Sequence, residues 1–148
     1  MYYDVGRISF SLAICGKVQS PAEITRALGI RPDYTHLLGD EIVSGGGKTV
    51  GTRIRHVWVF DSTSLTNSKN LDEHARKVLD RVLPVADIVR QLKAQNDVLF
   101  VAKWESSRLD WGSGPELSPA TCRDVAVVGI ELNFDIYCSL EHTGELAP

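Results

Sequence analysis

The sequence is poor in cysteine, and its three cysteines do not form a recognisable set. Cys15, Cys122 and Cys138 are odd in number and far apart, with no pair at CxxC spacing. This distribution argues against both a disulfide framework and a zinc site. Because the sequence also shows neither a metal-binding cluster nor a cofactor-binding loop, we expect neither a metal ion nor a cofactor. Buried, reduced thiols are typical of a cytoplasmic protein, which is the location we expect.

Long apolar segments and a surplus of positive charge are missing as well. No apolar run approaches the roughly 18 residues of a membrane span. The first residues lack the basic and apolar regions of a signal peptide. The net charge is −3, whereas nucleic acids and anionic membranes select basic surfaces. We therefore expect neither a nucleic-acid partner nor a membrane partner.

A complete phosphate-binding loop is also absent. Residues 45–49 read G-G-G-K-T and imitate the end of a P-loop, but Ile42 stands where that motif needs its first glycine. The segment leads into a predicted strand, whereas a P-loop opens a helix. We interpret it as the flexible tip of a hairpin.

The composition is that of one soluble globular domain, with 148 residues of which 43% are hydrophobic and 24% charged. We treat residues 1–148 as a single domain with a frayed tail at 141–148. Four segments have strand character. The first and last alternate apolar and polar residues, and the middle two are apolar on both faces: Ile8–Ile14, Arg53–Asp61, Asp97–Trp104 and Ile130–Cys138.

Three segments carry helix signals. Ser20 is the predicted N-cap of the first, with a glutamate three residues later as its capping-box partner, and Gly29 stops it. The second segment, about 70–94, contains an internal proline and predicts two short helices or one kinked helix. Ser118 and Gly129 start and stop the last helix in the same way as the first.

The order of these elements predicts an α+β fold. We expect a ferredoxin-like sandwich, βαβ–(helical insertion)–βαβ, with a four-stranded, mainly antiparallel sheet and the insertion at about 70–94. Because the two middle strands are apolar on both faces, we expect the inserted helices to cover the second face of the sheet. The insertion is also long enough for a parallel crossover, so the strand order stays open.

A long connection without periodicity separates the first helix from the second strand. Residues 32–52 contain several glycines, and a connection of this length is either functional or mobile. Six residues in and just after it are our candidates for binding a ligand or partner: Tyr34, His36, Asp40, Arg53, Arg55 and His56.

The chemistry of this connection has two interpretations. His36 and Asp40 would be neighbours if the segment made a helical turn, an arrangement that would suit a hydrolase-type enzyme. Alternatively, the polar groups of the loop satisfy its own backbone. Because neither a nucleophile–base pair nor a metal cluster accompanies these residues, the sequence favours a non-enzymatic role and gives no catalytic residue.

Several stretches together resemble a bacterial family known as domain of unknown function 4279. They are the strand Ile8–Ile14, E-I-T-R-A-L-G-I-R-P at 23–32, Gly39-Asp40, Trp58, and G-I-E-L-N-F-D-I-Y at 129–137. The resemblance covers nearly the whole chain. It implies a small single-domain protein without an assigned activity, so it transfers no catalytic residue.

We therefore expect a non-enzymatic protein-interaction module, immunity- or regulator-like, with a protein partner. The alternatives are a small-ligand sensor, which rests on fold analogy, and a hydrolase-type enzyme that uses His36 and Asp40. The sequence leaves a homodimer open, and it also leaves open whether residues 33–52 are ordered.

Overall fold

The computed structural model of the protein describes residues 5–106 and 114–138, so the predicted frayed tail at 141–148 lies outside it. Within these residues the chain forms seven strands and four α-helices. The strands are β1 (Val5–Gly16), β2 (Tyr34–His36), β3 (Glu41–Val43), β4 (Thr49–Thr52), β5 (His56–Asp61), β6 (Asn96–Ser106) and β7 (Glu131–Cys138). The helices are α1 (Pro21–Leu28), α2 (Leu71–Val82), α3 (Ala86–Leu92) and α4 (Pro119–Val128). None of the helices in these two stretches has the length and apolar character to cross a membrane.

Five of the strands form one sheet in the order β2-β5-β1-β6-β7, and β3 and β4 form a separate two-stranded sheet. β1 pairs antiparallel with both β5 and β6, β2 pairs antiparallel with β5, and β6 pairs parallel with β7. The predicted α+β class and mainly antiparallel sheet are confirmed. The predicted number of strands was wrong, because the short strand β2 joins the sheet as a fifth member at its edge.

The predicted ferredoxin-like order was also wrong. In a ferredoxin-like sheet every neighbouring pair of strands is antiparallel and the first strand lies between the third and the fourth, whereas here β1 lies between β5 and β6, and β7 pairs parallel with β6. β5 and β6 lie on either side of β1 and both oppose its direction, so they are parallel to each other. Parallel strands need a crossover connection, and the chain between β5 and β6 consists of α2 and α3. The predicted helical insertion is therefore the crossover itself.

All four helices lie on one face of the sheet and share a single core with it. Phe10 and Leu12 from β1 are fully buried there with Trp58 from β5 and Phe100 from β6. The prediction that helices would cover the second face was wrong, because no described helix packs on it. On that open face Val59 is only 4% exposed, so side chains from neighbouring strands supply most of the cover that we expected from helices.

Two βαβ units repeat the same local design. β1-α1-β2 and β6-α4-β7 each join two parallel strands, and they lead to opposite edges of the sheet. Each helix starts at a serine whose side chain accepts a backbone hydrogen bond, and each ends at a glycine with φ of 66° or 75°, followed by a buried isoleucine. The equivalent pairs are Ser20 and Ser118, Gly29 and Gly129, and Ile30 and Ile130. These start and stop signals are confirmed as the sequence predicted them.

Candidate functional site

The connection from β2 to β5 leaves the main sheet and returns to it. β2 is the edge strand, with Tyr34 opposite Val59, and the chain then forms the β3–β4 hairpin. At the tip of this hairpin Ser44 N–H donates to the Lys48 carbonyl oxygen at 2.8 Å. The interpretation of residues 45–49 as a hairpin tip is confirmed, since the glycines are followed by β4. We call the segment Tyr34–Ile54 the excursion.

The base of the hairpin is closed by backbone hydrogen bonds. Gly39 N–H donates to the Arg53 carbonyl oxygen at 2.8 Å, and Arg53 N–H donates to the Asp40 carbonyl oxygen at 2.7 Å. The Asp40 side chain completes the turn before the hairpin, because its Oδ2 accepts from Leu37 N–H at 2.7 Å. The Asp40 carboxylate thus satisfies the backbone of its own loop.

The two histidines lie on opposite faces of the sheet. His56 alternates with Trp58 along β5 and so lies on the helix face, where its Nδ1 accepts from Leu38 N–H at 3.0 Å. His36 lies on the open face, and its Nε2 is 3.4 Å from Arg53 Nη2. Among the described residues no hydrogen bond joins His36 to Asp40. The hydrolase alternative needs His36 and Asp40 to be in contact, and the described hydrogen bonds do not include that contact.

The two remaining candidates are Tyr34 and Arg55. Tyr34 lies beside His36, with 6.0 Å between the ring centroids, and it is about half exposed. Burial of the other half raises the pKa of its hydroxyl, and the nearby Asp61 carboxylate adds to that effect. Arg55 forms an exposed ion pair with Asp97 at 2.6 Å, which contributes little to stability. The structure therefore brings together Tyr34, His36 and Arg53, and it does not bring all six candidates into one site.

Sequence reasoning missed the main surface property of the excursion, which is apolar. Among the described residues twelve large apolar side chains are exposed, and six of them belong to the excursion. Ile54 is 71% exposed and Val50 65%. The full set is Tyr34, Leu37, Leu38, Val43, Val50 and Ile54. The sequence did contain a signal for this surface. Apolar residues in a segment without helix or strand periodicity have no regular face to bury in a core, so their exposure could have been expected.

A groove on the open face of the sheet was also missed. Its floor is the middle strand, where Ser9, Ser11 and Ala13 present small side chains, and Val59 and Val101 lie on either side. The groove has a volume of about 730 Å³. Its lining also includes the Tyr34 ring and five charged side chains, which are Arg7, Lys103, Asp33, Asp61 and Asp135. We call this feature the sheet groove.

A serine–histidine pair lies inside the protein. Ser62 Oγ accepts from Phe10 N–H at 2.9 Å and is 2.7 Å from His74 Nδ1. The other ring nitrogen of His74 is 2.8 Å from the Ser68 carbonyl oxygen, which can only accept. His74 Nε2 therefore carries the proton, and Nδ1 accepts from Ser62. The pair has the contact of a nucleophile and its base, but Ser62 has no exposed surface, so its role is to complete the hydrogen bonding of the core.

Cys15 and Cys122 differ in their exposure to solvent. Cys15 is half-buried, and burial raises the pKa of its thiol, an effect that nearby Arg55 partly offsets. Cys122 is exposed on α4, and Thr121 takes the buried position instead. The expectation of buried thiols was therefore wrong for Cys122. Within the described part of the chain no three His, Cys, Asp or Glu side chains lie close enough to hold a metal ion.

A protein-family model described as "Domain of unknown function (DUF4279)" matches residues 6–139. The chain belongs to this family. No curated protein and no solved structure matched the chain. Membership of the DUF4279 family confirms the resemblance seen in the sequence. It assigns no activity, so the function of this DUF4279 domain has to be argued from its surfaces.

In this DUF4279 domain, Asp40→Ala is expected to loosen the hairpin without unfolding the main sheet. The change removes the acceptor for Leu37 N–H, a bond comparable to a helix cap, and hairpin amides should exchange about 2- to 30-fold faster. Hydrogen exchange measured by mass spectrometry checks this. Asp80→Ala is the matched control, because it removes an exposed carboxylate on α2. Equal exchange of the hairpin in both variants would contradict the role given to Asp40.

Proposed function

We propose that this domain is a non-enzymatic protein-binding module whose contact surface is the excursion. The observation that carries the proposal is the concentration of exposed apolar side chains between Tyr34 and Ile54. Exposed apolar groups that cluster on a soluble protein mark interaction sites. Covering such side chains with a partner removes apolar area from water and contributes roughly 25 cal/mol per Å².

The excursion is also held in a defined conformation before any partner arrives. The backbone bonds between Arg53 and the Gly39–Asp40 turn close its base, and β2 pairs with β5. The Asp40 and His56 side chains accept from Leu37 and Leu38. A preorganised surface loses less conformational entropy on binding. In this account the polar residues position the apolar ones.

The proposal extends to a cytoplasmic role of the immunity or regulator type, in which the domain covers an apolar surface of a toxin or of a regulated protein. The cytoplasmic part of the proposal is supported by Cys15 and Cys122, which are free thiols, as is typical of a reducing compartment.

Removing the hairpin tests the proposal. Because Asp40 O and Arg53 N are 2.7 Å apart, residues 41–52 can be replaced by two glycines while β2 stays paired with β5. Wild-type and shortened chains serve as baits in lysate of the native host, with circular dichroism as the check of folding. We expect a protein that binds the wild type and is lost with the shortened chain. Retention by a folded, shortened chain would overturn the part of the proposal that places the hairpin in the contact surface.

The sheet groove supports a second candidate function, a small-ligand sensor. Its volume of about 730 Å³ falls within the roughly 300–1,000 Å³ that is usual for ligand pockets. In a thermal-shift screen with metabolites and nucleotides, a ligand at about 100 times its Kd adds roughly 2.7 kcal/mol. Ser11→Leu fills the floor of the groove and should abolish that shift. A flat profile for the wild type across a broad library would count against a sensor.

A further inference from the structure

The last strand is an exposed edge of the sheet. β7 is eight residues long and pairs along its length with β6, and no described strand pairs with its other side. The opposite edge strand, β2, is only three residues long. Natural edge strands are usually protected by shortness, charged side chains, proline or a bulge. β7 reads E-L-N-F-D-I-Y-C and pairs without a register shift, so of these protections it has only the charges of Glu131 and Asp135.

β7 also carries the second group of exposed apolar side chains. Phe134 is 48% exposed, Ile136 52% and Tyr137 53%. The register with β6 places Phe134 and Ile136 on the helix face, next to Ala102 and Trp104. Tyr137 lies on the open face with the two acidic residues of the strand. The helix-face side of this edge is thus apolar, and the open-face side is polar.

The side chains of β7 match a second copy of β7 in one antiparallel register. With a two-fold axis through Phe134, residues at equal distances from it lie opposite each other. On the helix face Phe134 then meets the partner's Phe134, and Leu132 meets the partner's Ile136. On the open face Asn133 meets the partner's Asp135, and Glu131 meets the partner's Tyr137. Every pair joins side chains of compatible chemistry, and each such pair stabilises a sheet.

The neighbouring registers do not match. An axis through Asn133 places Glu131 opposite the partner's Asp135, and an axis through Asp135 places that carboxylate opposite itself. Like charges directly opposite each other destabilise a sheet. An axis between two residues puts the two helix layers on opposite faces, and an axis between Phe134 and Asp135 also brings that ring against the partner's Asp135. Registers centred on Leu132 or Ile136 also keep acids apart, but they pair only three or five residues of β7, whereas the register centred on Phe134 pairs seven.

We propose that two copies of this chain join along β7 in that register and form one continuous sheet. The occupant of the β7 edge is thus a second copy of the chain. This inference goes beyond the proposed function and does not depend on it. The excursion lies at the β2 edge, at the far end of the sheet. A β7-linked dimer therefore leaves both excursions free at its two ends.

Charge changes at residue 133 test the register. Sedimentation equilibrium on the full chain measures the dimerisation constant. Asn133→Lys places a cation opposite the partner's Asp135 and should tighten the dimer about 2- to 30-fold, since the pair occurs twice. Asn133→Asp creates acid against acid and should weaken it by a similar factor. Val127→Lys, at an exposed position on α4, adds the same charge elsewhere and should change little.

Cross-linking provides an independent readout. In a chain whose three native cysteines are replaced by serine, Phe134→Cys brings two thiols together on the two-fold axis, at a spacing compatible with a disulfide. Asp135→Cys faces the partner's Asn133 and should not cross-link under the same oxidation. The proposal is overturned if the wild-type chain stays monomeric at its highest soluble concentration. It is also overturned if the lysine and aspartate variants shift the equilibrium equally, or if both cysteine variants cross-link to the same extent.

Discussion

Replacing Trp58 with alanine is expected to lower the free energy of unfolding by about 3–5 kcal/mol, the usual cost of removing a buried aromatic side chain. Trp58 is fully buried on β5 and belongs to the core that the helices share with the sheet. Its Nε1 also donates to Thr25 Oγ1 on α1 at 3.0 Å. The change therefore leaves a cavity and removes the hydrogen bond that joins α1 to β5, the strand with which β2 pairs.

Urea denaturation followed by far-ultraviolet circular dichroism measures this loss without relying on tryptophan fluorescence. Total stabilities of domains this size are about 5–15 kcal/mol, so the variant should remain folded with a much lower midpoint. Thr25→Val removes the hydrogen bond and keeps the ring, and it should cost about 1 kcal/mol. A loss below about 1 kcal/mol for Trp58→Ala would show that Trp58 does not join the helix layer to the sheet.

Ser62→Ala is expected to cost about 2–5 kcal/mol, which is large for the loss of one hydroxyl group. Its oxygen is the partner of both Phe10 N–H and His74 Nδ1. Removing it leaves two buried polar groups unsatisfied, each at a cost of about 1–3 kcal/mol. The ladder between β1 and β5 ends at the Ser11–Asp61 pair, so Ser62 supplies the next acceptor for β1.

Denaturant unfolding of Ser62→Ala and Ser64→Ala separates this role from a general effect of the turn. Ser64 belongs to the same 3₁₀ turn and is exposed, so its variant should stay within about 0.5 kcal/mol of the wild type. If Ser62→Ala unfolds at the wild-type midpoint, the pair is not part of the core hydrogen bonding. Its resemblance to a nucleophile and base would then deserve testing with esters.

Local signals in the sequence predicted the elements but not their arrangement. Ser20 and Gly29 mark the ends of α1 through contacts within a few residues, so their sequence context is sufficient. Strand order depends on pairing between residues far apart in the chain, such as β1 with β6. The sequence left that pairing open. The ferredoxin-like sandwich was expected from the order of the elements along the chain, which does not determine which strands are neighbours.

The last strand shows the same limit at the level of single residues. The alternation along 130–138 placed Phe134 and Ile136 on the inward face, and the structure puts them on the helix face. They are nevertheless half exposed, because β7 is the edge strand. Position along an alternating strand predicts the face of a side chain, whereas its burial depends on which element covers that face.

The candidate residues were chosen for the chemistry of their side chains, whereas the proposal above rests on exposed apolar side chains of the same segment. His36, Asp40 and His56 were singled out because their side chains can do chemistry. In the structure Asp40 and His56 bond to the backbone of the loop. The degree of exposure of Val43, Val50 and Ile54 could not be predicted from sequence, because it depends on the hairpin turning away from the main sheet.

A capture experiment with two matched triple variants tests whether the excursion is the binding surface. One carries Val43→Ser, Val50→Ser and Ile54→Ser in the excursion, and the other carries Val18→Ser, Leu65→Ser and Val127→Ser at exposed positions elsewhere. With lysate of the native host and quantitative mass spectrometry, the excursion variant is expected to capture about tenfold less bound protein, or less still. The matched variant should bind as the wild type does. Equal capture by both folded variants would contradict the claim that the excursion is the binding surface.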